Sequence, residues 1–145
     1  MTLNYNAKAR EKCEMAELLY KDLSYVIQGV AFDIYKKLGS AHKENVYHNA
    51  CLIALRNKKL GIEKEKRIEI FYENKKVGTY TPDLVVNDSI LIELKAKPFL
   101  TKEDIKQFWH YLRCSTYRLG YLINFSSINK VEIIRRVYDT ARTKV

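Results

Sequence analysis

The residues best suited to chemistry lie in an aliphatic stretch, residues 80–97. This stretch predicts two short strands joined by a polar turn at residues 87–89. Asp83 lies on the first strand, and Glu93 and Lys95 lie two residues apart on one face of the second. Charged groups in a covered strand are costly unless they are paired or bind a metal. A structural Glu93–Lys95 pair at the strand end is therefore the alternative to a reactive site.

The length of the turn decides whether these groups meet. A three-residue turn pairs Val86 with Ile90. It thereby sets Asp83 opposite Glu93, with Cβ atoms about 4.5–5.5 Å apart, whereas a two-residue turn would put the carboxylates on opposite faces. Adjacent carboxylates repel unless a cation lies between them, and their hard oxygen atoms suit Mg²⁺ or Mn²⁺. Lys95 could then orient a water molecule or neutralise charge on a phosphate.

The composition is that of one basic globular domain. The 145 residues include 26 Lys and Arg against 17 Asp and Glu, and this net charge of +9 favours a polyanionic partner such as nucleic acid. Cys13, Cys51 and Cys114 are too few and too far apart for a zinc site, a disulfide framework or a four-cysteine iron–sulfur cluster. The chain shows no apolar leader and no run of membrane-spanning length. We therefore expect a cytoplasmic protein with free thiols and no membrane partner.

The surrounding elements are predicted from periodicity and from turn residues. Residues 1–22 form an N-terminal extension, expected to be helical, and residues 23–145 form a single domain. Asn124, within an apolar strand, is expected to be hydrogen-bonded. Arg135 and Arg136 lie on an expected edge strand, where they either contact phosphate or prevent aggregation. Helices are predicted from Ser24 (as N-cap) to Leu38, the last residue of an apolar stripe expected in the core, from Lys43 to Lys59, and onward from Thr101, which resembles a capping box with Asp104. Strands are predicted over residues 67–72, 77–80, 117–125 and 131–137.

The central stretch resembles a known nuclease signature. Pro82-Asp83, nine further residues and then Glu93-Leu94-Lys95 resemble the PD-(D/E)XK motif, placed on two hydrophobic strands with helices before and after. The resemblance covers about residues 24–138. It implies an α/β fold with a restriction-endonuclease-like core, in which a mixed central β-sheet is flanked by α-helices.

A second segment is similar to one branch of that superfamily. Residues 39–47 are similar to the segment that names the GxxExxY family. Glu44 and Tyr47 are retained, whereas Ala41 replaces the first glycine of the motif. The alternative for Glu44 is a first-turn acid stabilised by the helix dipole. For His42, a solvated or hydrogen-bonded loop residue is the alternative to a ligand or proton carrier.

The resemblance also implies roles for individual residues. The catalytic residues would be Asp83, Glu93, Lys95 and Glu44, and a metal ion would bind to Glu44, Asp83, Glu93 and the Leu94 carbonyl. Gln107 and Tyr111 match a Q-x-x-x-Y element of RecB-like members and, with Tyr47, would position the substrate. A solvated polar helix face is the alternative for Gln107 and Tyr111.

Two functions of different classes follow from these residues. The first is a nuclease that uses Mg²⁺ or Mn²⁺ to hydrolyse phosphodiester bonds, with DNA favoured over RNA. The resemblance implies that its products carry a 5′-phosphate and a 3′-hydroxyl. The second is a non-catalytic module that keeps the nuclease fold and binds nucleic acid or protein. A homodimer or a partner protein would help so short a chain to grip a duplex. A nucleotide-handling enzyme of another class is disfavoured, because the chain has no phosphate-binding glycine loop.

Overall fold

Three helices and seven strands make up the described part of the chain. The computed structural model describes the backbone of residues 2–138 and the side chains of residues 20–138. The side chains of the predicted extension before residue 20, including the Cys13 thiol, lie outside the described residues, as does the end of the predicted domain, residues 139–145. The elements are α1 (Thr2–Leu38), α2 (Glu44–Asn57), β1 (Ile62–Lys64), β2 (Ile68–Tyr72), β3 (Lys75–Tyr80), β4 (Leu84–Val86), β5 (Ile90–Lys95), α3 (Lys102–Cys114), β6 (Leu119–Asn124) and β7 (Glu132–Val137).

Five of the strands form one mixed sheet in the order β1-β4-β5-β6-β7. Strands β5 and β6 pair in parallel, with α3 as the connection between them, and the other neighbours in this sheet are antiparallel. Strands β2 and β3 form a separate antiparallel hairpin. The predicted α/β class with a mixed central sheet is confirmed. The short edge strand β1 is not predicted by the sequence pattern.

The sheet is covered on both faces because its strands alternate between two cores. On β5, Ile90, Ile92 and Leu94 pack with α1 and α2, whereas Leu91 packs with Phe108 of α3. Glu93 and Lys95 lie two and four residues after Leu91 on the same strand and therefore share its face, the one that α3 covers. On β6, a Cβ atom at Gly120 would lie 2.8 Å from Cζ of the buried Phe108, so that only glycine lets α3 approach this closely.

The first helix differs from its predicted start. Ser24 is not an N-cap: it lies inside α1, where its Oγ is buried without a hydrogen-bond partner among the described residues. The helix continues because the preceding residues are rich in Ala, Glu, Lys and Leu, all strong helix formers. The predicted end is confirmed, since Gly39 adopts a φ of 73° and its N–H donates to the Tyr35 carbonyl. Leu38 is 39% exposed, so its predicted place in the core is wrong.

Two polar predictions around the central strands are confirmed. The Thr101 side chain accepts from the Asp104 N–H while the Asp104 carboxylate accepts from the Thr101 N–H, which forms a capping box at the start of α3. Asn124 is fully buried and bonds to both backbone groups of Lys97 and to the Glu132 carboxylate. In the described helices, no segment is long and apolar enough to cross a membrane.

Candidate active site

The turn after β4 has the three-residue length on which the site depends. Val86 pairs with Ile90 and Leu84 pairs with Ile92, so continuation of this register by one residue sets Asp83 opposite Glu93. Asn87 and Asp88 both adopt positive φ values, 49° each, a conformation that asparagine and aspartate tolerate better than most residues. The predicted register is therefore confirmed.

The two carboxylates are held together by reciprocal bonds to the backbone. Asp83, in the bend just before β4, donates its N–H to Glu93 Oε1 at 3.0 Å. The Leu94 N–H in turn donates to Asp83 Oδ2 at 2.7 Å. Among the described residues, Ser24 Oγ alone is a buried side-chain oxygen without a partner. The remaining oxygens, Asp83 Oδ1 and Glu93 Oε2, make no hydrogen bond to a described residue and are not buried, so they face solvent.

Glu93 is further fixed by Tyr80, at the end of β3. The Tyr80 hydroxyl donates to Glu93 Oε1 in a short hydrogen bond. The Tyr80 ring stacks on Tyr111 of α3 with centroids 3.7 Å apart, and Gln107 Nε2 donates to the Tyr111 hydroxyl at 2.8 Å. The predicted Gln107–Tyr111 pair thus supports Glu93 through an intervening tyrosine.

Lys95 supplies positive charge to the same region. Its side chain is half-buried and forms no ion pair with any described carboxylate. Burial raises the pKa values of Glu44, Asp83 and Glu93, and Lys95 is close enough for its positive charge to offset part of that rise. An ammonium that is near three carboxylates but bonded to none is available to a water molecule or a phosphate oxygen.

Glu44 and His48 approach from α2. Glu44 is the first residue of α2, and partial burial of its carboxylate, followed by repulsion from Asp83, raises its pKa. One turn later, the His48 ring lies with Nε2 3.1 Å from the Asp83 carbonyl oxygen. The contact of His48 with the Asp83 carbonyl shows that the first turns of α2 face the site. It does not bring Glu44 into a compact ligand set: within residues 20–138, no three His, Cys, Asp or Glu side chains are grouped as a metal site.

Tyr47 is fully buried and stacks on Phe125 with ring centroids 4.7 Å apart. Its hydroxyl donates to the Gly39 carbonyl at 2.6 Å and accepts from the His42 N–H at 3.2 Å. The His42 ring contacts the Leu38 carbonyl oxygen, with Nε2 at 3.0 Å. Because its side chain is buried, Tyr47 can affect a substrate only indirectly, by fixing the loop between α1 and α2 that precedes Glu44.

Tyr80 and His48 belong to the site, but neither residue is part of the sequence motifs that predicted it. Tyr80 is 13 residues from Glu93 and on another strand, and His48 is 35 residues from Asp83. The spacing of Glu44 and His48 at i, i+4 places them on one helix face and could have indicated the histidine. Tyr80 is the last residue of a predicted strand and lies two residues before Pro82, which could have indicated a role beside Asp83.

The donor set fits a hard divalent cation. Asp83 and Glu93 each offer one carboxylate oxygen without a hydrogen bond, and Mg²⁺ is commonly held by one or two carboxylates with water and phosphate oxygens completing its shell. Burial raises the pKa values of both acids, and the charge of Asp83 raises that of Glu93 further. A bound cation would offset this repulsion.

The raised pKa of Glu93 predicts that the metal-free protein loses stability as pH rises. Burial and the Asp83 charge raise this pKa from 4.5 to about 7, so the folded state keeps a proton that the unfolded chain releases across that interval. The free energy of unfolding should therefore fall by about 2–3 kcal/mol between pH 4.5 and 7. Urea unfolding in chelator at pH 5 and pH 8 measures the change. Glu93→Gln should largely remove it, and parallel pH profiles for the two proteins would contradict the assignment.

Comparison with known proteins places these residues in a family. The sequence profile of the PD-(D/E)XK nuclease superfamily matches residues 21–137. Among solved structures, an alkaline exonuclease from Laribacter hongkongensis is similar with a TM-score of 0.46 and 15% sequence identity, over 67% of this chain and 57% of that one. The chain thus spans little more than half the length of that exonuclease. A search of curated proteins by sequence gave no match. Since the profile match covers most of the chain and includes Asp83, Glu93 and Lys95, the protein belongs to the PD-(D/E)XK nuclease superfamily.

Proposed function

We propose that this protein is a metal-dependent nuclease that hydrolyses phosphodiester bonds in nucleic acid, with DNA as the favoured substrate. The observation that carries the proposal is the convergence of Asp83, Glu93 and Lys95, which pairs with no described carboxylate, at one end of β5. Membership of the superfamily supports the reaction class. The retained Glu44 and Tyr47 support a place in the GxxExxY branch.

Each residue has a part that its contacts support. Asp83 and Glu93 would hold Mg²⁺ or Mn²⁺ through their exposed oxygens, aided by the Leu94 carbonyl and by Glu44 at the start of α2. The bound ion would polarise the phosphate and make an attacking water more acidic. Lys95 would orient that water and stabilise negative charge on the phosphate oxygens. Tyr80, braced by Tyr111 and Gln107, keeps Glu93 Oε1 occupied so that Oε2 faces the ligand.

We also propose that the protein acts in the cytoplasm. Cys51 and Cys114 are both free thiols, as expected in a reducing cytoplasm. A homodimer or a partner protein would extend the contact with a long substrate beyond what one short chain offers.

A second function is favoured by one observation, the lack of a third ligand side chain beside Asp83 and Glu93 in the described structure. A binding module that keeps the nuclease fold without cleavage would need no third ligand. It would bind nucleic acid or protein through the excess of Lys and Arg that gives the chain its net charge of +9.

Incubation of the protein with single-stranded, double-stranded and branched DNA, and with RNA, tests the proposal. Each substrate is combined with Mg²⁺, Mn²⁺ or a chelator. We expect cleavage with either ion, products with a 5′-phosphate and a 3′-hydroxyl, and no cleavage in chelator. If the protein bound nucleic acid but cleaved none of these substrates at any metal concentration, the proposed nuclease activity would be overturned and the binding module favoured.

A further inference from the structure

A groove between α3 and β7 lies on the flank of α3 away from Tyr80. It has a volume of about 500 Å³ and is lined by Lys102, Ile105, Lys106, Trp109 and Arg136. The spacing of Lys102, Lys106 and Trp109, at i, i+4 and i+7, places all three on one face of α3. Arg136 faces them from β7, because it lies two residues from Ile134 and from Tyr138, which pack on the α3 side of the sheet, and residues two apart on a strand share a face.

The charge in this groove is uncompensated. Lys102, Lys106 and Arg136 form no ion pair with any carboxylate in residues 20–138. Four described lysines elsewhere do pair with a carboxylate, as Lys97 does with Asp104 at 2.7 Å. Arg136 is partly oriented, since its Nη1 donates to the Arg135 carbonyl at 3.0 Å. Three cations that share one groove without an acidic partner are complementary to an anionic ligand with several charges.

The groove also contains an aromatic surface. Trp109 is half-buried and meets Tyr138 edge to face, with ring centroids 5.5 Å apart. Lys102 and Lys106 precede it on the same helix face, and Arg113 follows at i+4 with its guanidinium 5.5 Å from the centre of the Tyr138 ring. Cations on either side of a partly exposed ring suit a single strand, whose phosphates need positive charge and whose unpaired bases need a flat partner. A duplex would use the cations but leave the indole without a base.

We propose that the α3–β7 groove binds single-stranded nucleic acid beside the cleavage site. The inference rests on the proposed function in taking nucleic acid as the ligand, but binding in the groove needs no cleavage. Helix α3 joins the two sites: Gln107 and Tyr111 lie on its flank toward Glu93, and Lys102, Lys106 and Trp109 on the flank toward β7. From Lys102 to Arg113 the cationic face extends about 16 Å along the helix, enough to follow a strand beyond the cleaved bond.

The chain offers a built-in probe, because Trp109 is its one tryptophan. The full-length protein is titrated in chelator, where cleavage cannot occur, with an oligo(dT) of about 15 nucleotides, a length within the range of known single-strand sites. We expect saturable quenching of the Trp109 emission. Lys106→Ala combined with Arg136→Ala should weaken binding on the order of tenfold and lower the slope of log K against log [salt] by about 1.4, or about 0.7 per lost phosphate contact.

The matched control removes two exposed cations elsewhere, Arg56→Ala with Lys58→Ala at the end of α2. It should leave both the quenching and the salt slope close to those of the unaltered protein. Equal losses of oligo(dT) affinity in the two double variants would overturn the proposed binding in the groove, because they would indicate general attraction of the anionic strand to any basic surface. Oligo(dT) binding without quenching, equal competition by poly(glutamate), or no binding at all would also overturn it. Cleavage assays on the same proteins test the nuclease activity separately. Cleavage without quenching would contradict single-strand binding in the groove, whereas quenching without cleavage would contradict the proposed nuclease activity.

Discussion

Asparagine in place of Asp83 is expected to reduce metal-dependent cleavage by about 10²–10³-fold or more, since loss of a metal-binding carboxylate removes several kcal/mol of transition-state stabilisation. The fold should survive. The asparagine Oδ1 can still accept from the Leu94 N–H, the bond that Asp83 Oδ2 makes at 2.7 Å. Initial cleavage rates measure the first effect, and isothermal titration with Mn²⁺ measures the accompanying loss of metal affinity.

A matched control separates this effect from a general loss of negative charge. Asp33 is an exposed aspartate on α1, paired with Lys37 at 3.1 Å, and Asp33→Asn should leave cleavage and Mn²⁺ binding unchanged. Near-normal turnover in Asp83→Asn, with the variant correctly folded, would remove Asp83 from the reaction. Loss of cleavage with undiminished Mn²⁺ binding would instead show that the ion binds elsewhere.

The second large effect is expected at Lys95, where alanine should lower the cleavage rate by about 10²–10⁴-fold. The reason differs from that for Asp83. Lys95 makes no ion pair in the described structure, so its removal breaks no structural contact of that kind, but it withdraws a positive charge that acts on Asp83 and Glu93, where the proposed water and phosphate would bind. Mn²⁺ binding should persist in this variant, because both carboxylates remain.

Lys36→Ala, an exposed lysine in the last turn of α1, is the control for Lys95→Ala and should behave like the unaltered protein. The combination of lost cleavage and retained Mn²⁺ affinity distinguishes a catalytic lysine from a structural one. If Lys95→Ala lost Mn²⁺ binding and thermal stability together, the lysine would act as the structural partner of Glu93 that the sequence left open.

The pairing of Asp83 with Glu93 is the part of the site that local sequence predicts well. A strand pair has a period of two, so the length of one turn fixes the register of every residue beyond it. Asn87 and Asp88 tolerate the left-handed conformation that this turn requires. The same local logic correctly predicts the capping box at Thr101 and the end of α1 at Gly39. It fails at Ser24, since a residue that is good at an N-cap does not by itself start a helix when strong helix formers precede it.

The sequence by itself determined the register of Asp83 against Glu93, the buried strands, the end of α1 and the start of α3, because these depend on residues close together along the chain. Only the tertiary structure decided which distant groups come together: Tyr80 on Glu93 and His48 at the Asp83 carbonyl in the candidate active site, and Arg136 across from Trp109 in the α3–β7 groove. Each of these contacts joins different elements, and its geometry depends on how helices and strands pack rather than on any spacing along the chain.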